Sequence, residues 1–82
     1  MSVKVYTKDN CMQCNFAKKL LNTLGVGFEE VYVDVSKDIE TINTLKSMGM
    51  ASFPVILFNE DWSNAIAGFS PNKIKEAVKN GY

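Results

Sequence analysis

The 82-residue chain contains no histidine and no arginine, only two prolines and only two cysteines, and no long apolar run. Each shortage removes a class of function. Without histidine, the usual general base, the usual zinc ligand and any Cys-His or Ser-His nucleophile pair are missing. Nine lysines balance nine acidic residues to a formal net charge of zero. The lysines are scattered, so no basic stripe exists to neutralise phosphates, and no nucleic-acid partner is expected. The segment Met1-Ser2-Val3-Lys4-Val5-Tyr6 lacks the apolar centre of a secretory leader. The longest apolar stretch, Pro54-Val55-Ile56-Leu57-Phe58, falls far short of the roughly 20 residues a membrane span needs. The expectation is a soluble, cytoplasmic monomer with no membrane contact.

What is present is ordinary globular material, with 46% hydrophobic and 11% aromatic residues. One domain over residues 1–82 is expected, because two cores would need roughly 50 or more residues each. Area scaling for 9.1 kDa gives about 60% of the chain surface buried and a margin on the order of 4–12 kcal/mol.

Val3 and Val5 alternate with Lys4, and the run through Tyr6 reads as a first strand that ends in Thr7-Lys8-Asp9-Asn10. Ala17, Leu20, Leu21 and Leu24 recur at i, i+3, i+4 and i+7, an amphipathic helix that begins near Cys11 and is stopped by Gly25. Phe28 to Val35 reads as a second strand with Val31, Val33 and Val35 on one face and burial on both sides. Strand, helix and strand make a βαβ unit, so the two strands should be parallel. Ser36 or Asp38 caps a shorter helix with Ile39, Ile42 and Leu45 inward, ended by Gly49. Val55-Ile56-Leu57-Phe58 is an interior strand, Asn59-Glu60-Asp61 a turn and Ala65-Ile66-Ala67 an edge strand ended by Gly68. Ser70 as N-cap and Pro71 at the first helical position open a last helix with Ile74, Ala77 and Val78 inward. The order is βαβαββα.

The chemistry concentrates in Cys11-Met12-Gln13-Cys14, at the junction of the first strand and first helix. In that context a Cys-x-x-Cys spacing reads as a redox site. The first backbone N–H groups of a helix have no internal partner and the dipole there is positive, so a thiolate at Cys11 is stabilised and its pKa lowered. Cys14, almost one turn on and better shielded, is placed to attack a mixed disulfide formed by Cys11. Lys8 would add positive potential near Cys11 and Asp9 would oppose it, with a solvated loop lysine as the alternative for Lys8. For the cysteines the competing readings are a buried inert pair, a structural disulfide and half of a metal site. Redox exchange is favoured over all three: a polar junction is not a core position, so short a loop constrains little, and a metal would need ligands beyond these two.

These residues resemble the small thioredoxin-fold proteins, in particular the glutaredoxin-like NrdH-redoxins. The resemblance runs over nearly the whole chain, through Val5-Tyr6-Thr7-Lys8 before the cysteines, Tyr32-Val33-Asp34, Phe53-Pro54-Val55 and Gly68-Phe69-Ser70-Pro71. It implies an α/β fold with a four-stranded mixed sheet flanked by three helices, and Pro54 in the cis form beside Cys11. It also implies electron donation to ribonucleotide reductase through the Cys11–Cys14 disulfide, with no bound cofactor and no metal. A backbone at Phe53 available to pair with an extended substrate follows from it as well.

Glutaredoxins that use glutathione commonly have Pro-Tyr between the cysteines and, after a glycine pair, an Asp that holds the glutathione amino group. Here Met12-Gln13 separate the cysteines and Phe69-Ser70-Pro71-Asn72 follow Gly68, with no carboxylate. Thioredoxin reductase rather than glutathione is therefore the implied reductant. Met12, Gln13, Phe53, Pro54, Gly68 and Phe69, with Lys8, are the implied partner-contacting rim. The chain departs from NrdH-redoxins at Trp62-Ser63, which lie upstream of Gly68 rather than directly before it, and at Ser70, where those proteins usually carry Arg. Trp62 is thus not expected to inherit the family role.

Overall fold

Alternation at the start of the chain produces β1 (Val3–Thr7), with Val3, Val5 and Thr7 buried and Lys4 and Tyr6 half-buried on the opposite side. In the computed structural model, which describes residues 2–81, the chain continues as α1 (Met12–Thr23), β2 (Glu29–Tyr32), α2 (Ile39–Ser47), β3 (Val55–Phe58), β4 (Asp61–Ala67) and α3 (Pro71–Lys79). Met1, counted above with the N-terminal segment, lies outside the described residues, as does Tyr82. The order βαβαββα is the expected one. The sheet runs β2-β1-β3-β4, with β1 and β2 parallel and the other neighbours antiparallel. This is the expected mixed sheet.

Register sorts the side chains. Val5 lies opposite Ile56 and Val3 opposite Phe58, and these four pack with Ile66 against Ala17 and Leu21 of α1 and Ile74 of α3. The predicted stripe of α1 holds, with Ala17 and Leu21 fully buried and Leu20 and Leu24 packed at the margin. Gly25, at φ +74°, ends the helix. Its N–H bonds to Asn22 O and the Val26 N–H to Leu21 O, satisfying carbonyls that the last turn would otherwise leave open. The other sheet face carries Tyr6, Val55 and Leu57, and α2 lies over it, with Thr41, Thr44, Leu45 and Met48 bounding a cleft of about 300 Å³ against Tyr6 and Trp62.

Three expectations need correction. The second strand is shorter than Phe28 to Val35, and Glu29, Glu30 and Tyr32 are exposed rather than buried on two sides. β2 is a sheet edge, and the chain leaves it through Val33, which is buried, while Val35 is 52% exposed. The Asp34 carboxylate accepts from Ser36 N–H and Ser36 Oγ, turning the chain before Val35 can join the sheet. In α2, Ile39 is 59% exposed and Ile42 only half-buried. Leu45 is buried as expected, with Thr41 and Met48 half-buried beside it, and the Asp38 side chain at the N-cap bonds Asp34 N–H instead of its helix.

The last strand starts four residues before Ala65. The turn shrinks to Asn59 and Glu60, both with positive φ (54° and 61°), as a two-residue hairpin of matching twist requires, and Asp61 opens β4. Phe58 lies opposite Asp61 and Ile56 opposite Ile66, so two steps along β3 correspond to five along β4. Three extra residues are an odd number, which reverses the alternation of faces. Ile66 therefore enters the α1–α3 core while Trp62 turns to the opposite face and packs on Tyr6, with ring centroids 5.7 Å apart. The Asp61 carboxylate gathers the bulged segment, accepting from Ser63 N–H and Asn64 Nδ2.

Ile74 has no exposed surface and ties α3 to the sheet. Ile74→Ala is expected to cost about 2–4 kcal/mol, read as a lower urea midpoint at unchanged slope.

Candidate active site

The parallel β1–β2 pair and the helix between them bring the end of β1, the loop 8–11 and the first turn of α1 to one edge of the molecule. Asn10 adopts the left-handed conformation at φ +56°, which asparagine tolerates better than most residues. That turn delivers Cys11 in an extended conformation (φ −107°, ψ 97°) as the N-cap of α1. The Cys11 sulfur accepts the Cys14 N–H at 3.1 Å, the bond a serine or aspartate oxygen makes at ordinary caps. Cys11 and Cys14 are joined as a disulfide with Cα atoms 5.2 Å apart. Cys11 remains partly exposed, whereas Cys14 is buried at 2%. The two sulfurs are thus unequal in access and in contact with the helix terminus.

Around the pair stand two flanks. On one, Lys8 Nζ stands 5.6 Å from the centre of the Phe53 ring, and the Phe53-Pro54 bond is cis. Pro54 O accepts the Gly68 N–H at 2.8 Å. Gly68 itself sits at φ +82°, a region in which only glycine is unstrained. Next to it, Phe69 packs on Phe16, with ring centroids 5.9 Å apart. Met12, 69% exposed, lies one turn before Phe16, itself 45% exposed, and Gln13 is exposed beside them. Phe16 was not picked out from sequence. Its signal is an aromatic one position off the Ala17–Leu21 stripe and one turn from the cysteines, where burial cannot explain it.

The other flank is polar; Lys8, Asp9 and Met12 on it were given roles from sequence, whereas Thr7, Asn15, Glu30 and Tyr32 were not. A hollow of about 510 Å³ beside Cys11 is lined by Thr7, Asp9, Asn15, Glu30 and Tyr32. The buried Thr7 hydroxyl donates to Glu30 Oε2 at 2.8 Å and Lys18 Nζ reaches the same oxygen at 3.1 Å. These bonds hold the Glu30 carboxyl below its ordinary value of 4.5. The Tyr32 hydroxyl donates to Asp9 Oδ2 at 2.8 Å, which raises the phenol above its ordinary value. No local spacing links positions 7, 18 and 30; the parallel pairing of β1 with β2 brings Thr7 and Glu30 together, and Lys18 reaches them from α1. Among the described residues, no group of three or more His, Cys, Asp or Glu side chains is arranged to hold a metal ion.

Residues 3–62, from β1 through the cysteine pair, cis-proline and hairpin, match the sequence profile of glutaredoxin. This chain belongs to the glutaredoxin family. Among glutaredoxins it is similar to the glutaredoxin-like protein NrdH of Salmonella typhimurium, 36% identical over 75 residues that cover 90% of this chain and 85% of that protein. The NrdH protein of Lactococcus lactis is likewise 36% identical, over 72 residues covering 88% and 93%. The fold superposes on the NrdH-redoxin from Escherichia coli with a TM-score of 0.74 at 26% identity, covering 93% of each chain. Glutaredoxins are thiol–disulfide oxidoreductases, and in this one the redox pair is Cys11 and Cys14. No helix among its described residues is long and apolar enough to cross a membrane.

Two predictions follow from the geometry of this glutaredoxin site. Asn10→Gly should keep the Cys11 position and the activity, while Asn10→Val, forced into a left-handed conformation, should lose about 1–2 kcal/mol in urea melts and slow disulfide reduction. The second concerns acid. Because the Glu30 carboxyl lies below 4.5 in the folded chain, its contribution to stability is present above that pH and fades as pH falls through the folded value. Glu30→Gln should flatten that part of the acid limb in thermal melts taken between neutral pH and pH ~2.

Proposed function

We propose that this protein is a cytoplasmic, monomeric electron donor to ribonucleotide reductase, working through Cys11 and Cys14 without a bound cofactor and re-reduced by thioredoxin reductase. The observation that carries the reading is the inequality of the two sulfurs: Cys11 is partly exposed and accepts a helix-terminal N–H, while Cys14 is buried. In the reduced state the Cys11 thiolate attacks one sulfur of a partner disulfide. A Cys11–partner disulfide forms and the partner's other sulfur leaves as thiolate. Cys14, deprotonated, then attacks the Cys11 sulfur, the second partner thiolate departs, and the Cys11–Cys14 disulfide closes. Two electrons pass to the partner, and an external dithiol reductase returns them.

The flank of Met12, Phe16 and Phe69 supplies apolar surface for a docked protein. Lys8 and Phe53 continue that flank, and the backbone of Phe53, just outside β3, would pair with an extended partner segment. Support for thioredoxin reductase over glutathione comes from the first turn of α3, which follows Gly68-Phe69 and holds no acidic residue to take the glutathione amino group. The Escherichia coli relative is described as a glutaredoxin-like protein with a thioredoxin-like activity profile.

The test drives reduction of ribonucleotide reductase, or of insulin, from NADPH through thioredoxin reductase in one reaction and through glutathione and its reductase in another. Turnover in the first alone is expected; turnover in the second alone would transfer the protein to glutathione-dependent chemistry, and none in either would end the oxidoreductase reading for these substrates. Cys14→Ser should accumulate a mixed disulfide with the partner and Cys11→Ser should not, by non-reducing electrophoresis and mass spectrometry. The Cys11 thiol should titrate below the free-cysteine value of about 8.5.

A further inference from the structure

The loop that carries Cys11 also carries an anion. Asp9 lies two residues before the N-cap, and the first turn of α1 contains no acidic side chain of its own. The unpaired N–H groups of that turn attract any negative charge within reach, a carboxylate as well as a thiolate. Besides the cysteines, seven ionisable side chains stand around this end of the molecule, with Asp34 and Asp38 adding negative charge near the Tyr32 phenol. Lys8 is over the Phe53 ring, and Glu30 is bonded to Thr7 and Lys18. Asp9 and Tyr32 are bonded to each other at 2.8 Å, across the hollow that opens onto Cys11.

We propose that Tyr32 is a positioning residue for Cys11: its hydroxyl holds the Asp9 carboxylate against β2 and so keeps a competing anion off the helix terminus that stabilises the Cys11 thiolate. The proposal rests on the reading of Cys11 as the attacking thiolate. Tyr32 is anchored for this task, opposite Thr7 in the β1–β2 register, with the next residue, Val33, bonded through its N–H to Thr7 O at 2.8 Å. The ring is 52% exposed, so packing does not account for it. The acceptor carboxylate raises the phenol pKa, so the O–H donor persists while Cys11 titrates. Without the hydroxyl, the Asp9 carboxylate would regain its rotamers in the hollow it shares with Cys11. A like charge roughly 8 Å away in a solvated site raises a thiol pKa by a few tenths of a unit.

The experiment measures the pH dependence of Cys11 alkylation by iodoacetamide in the Cys14→Ser background, for the otherwise unchanged chain, Tyr32→Phe, Asp9→Asn and the double variant. Tyr32→Phe is expected to raise the Cys11 pKa by about 0.3–0.5 unit, a twofold to threefold loss of thiolate below the pKa. Asp9→Asn should not raise it, and in the Asp9→Asn background Tyr32→Phe should have no effect. An unchanged pKa in Tyr32→Phe, or an equal rise with and without the Asp9 carboxylate, overturns the assignment while leaving the role of Cys11 intact. A Cys11 pKa at or above about 8.5 in the otherwise unchanged chain overturns the role of Cys11, and the assignment of Tyr32 with it.

Discussion

The first turn of α1 presents backbone N–H groups that the helix itself cannot satisfy, and the residue placed at its N-cap decides what they bond to. In most helices that residue carries oxygen. Here it is Cys11, and the Cys14 N–H points at its sulfur. Without a histidine base anywhere in the chain, the backbone becomes the means of stabilising a thiolate. The same turn of helix buries Cys14 while Cys11 stays partly exposed, so one structural feature makes the two cysteines unequal.

The rest of the fold serves that turn. α1 is held by Ala17 and Leu21 against Val3 and Val5, so the helix terminus cannot drift from the end of β1. The loop between them has one left-handed residue, Asn10, and is restrained on both sides, by Lys8 over Phe53 and by Asp9 on Tyr32. The Gly68 N–H on Pro54 O links the cis-proline segment to the end of β4, and from there to Phe69 and the exposed Phe16. An apolar flank and a polar flank thereby meet at one partly exposed sulfur. With zero net charge there is little long-range electrostatic steering.

Much of this was legible before any coordinates. The amphipathic stripe of α1, the parallel first unit and the helix-terminal placement of the cysteines follow from spacing alone, because those features depend on residues close in sequence. What failed were judgements of partnership. Val31, Val33 and Val35 look alike as a pattern, yet an edge position and an early exit from the sheet leave one half-buried, one buried and one exposed. Of the expected face of α2, Leu45 is buried and Ile42 half-buried, but Ile39, in the first turn, is 59% exposed. Phe16, not singled out from sequence, extends the apolar surface beside the active-site turn.

The amino-acid sequence by itself determined the order of elements, the identity of the redox pair and which cysteine caps the helix, because helix periodicity and capping act over a few residues. Tertiary structure alone decided what surrounds that pair. Glu30 meets Thr7, and Tyr32 meets Asp9, through the β1–β2 register, while Lys18 reaches Glu30 from the packed α1. Trp62 leaves the Ile66 face only because three extra residues in β4 reverse the pleat. Contacts of that kind depend on strand register and sheet position, and a shift of one residue moves every side chain to the other face.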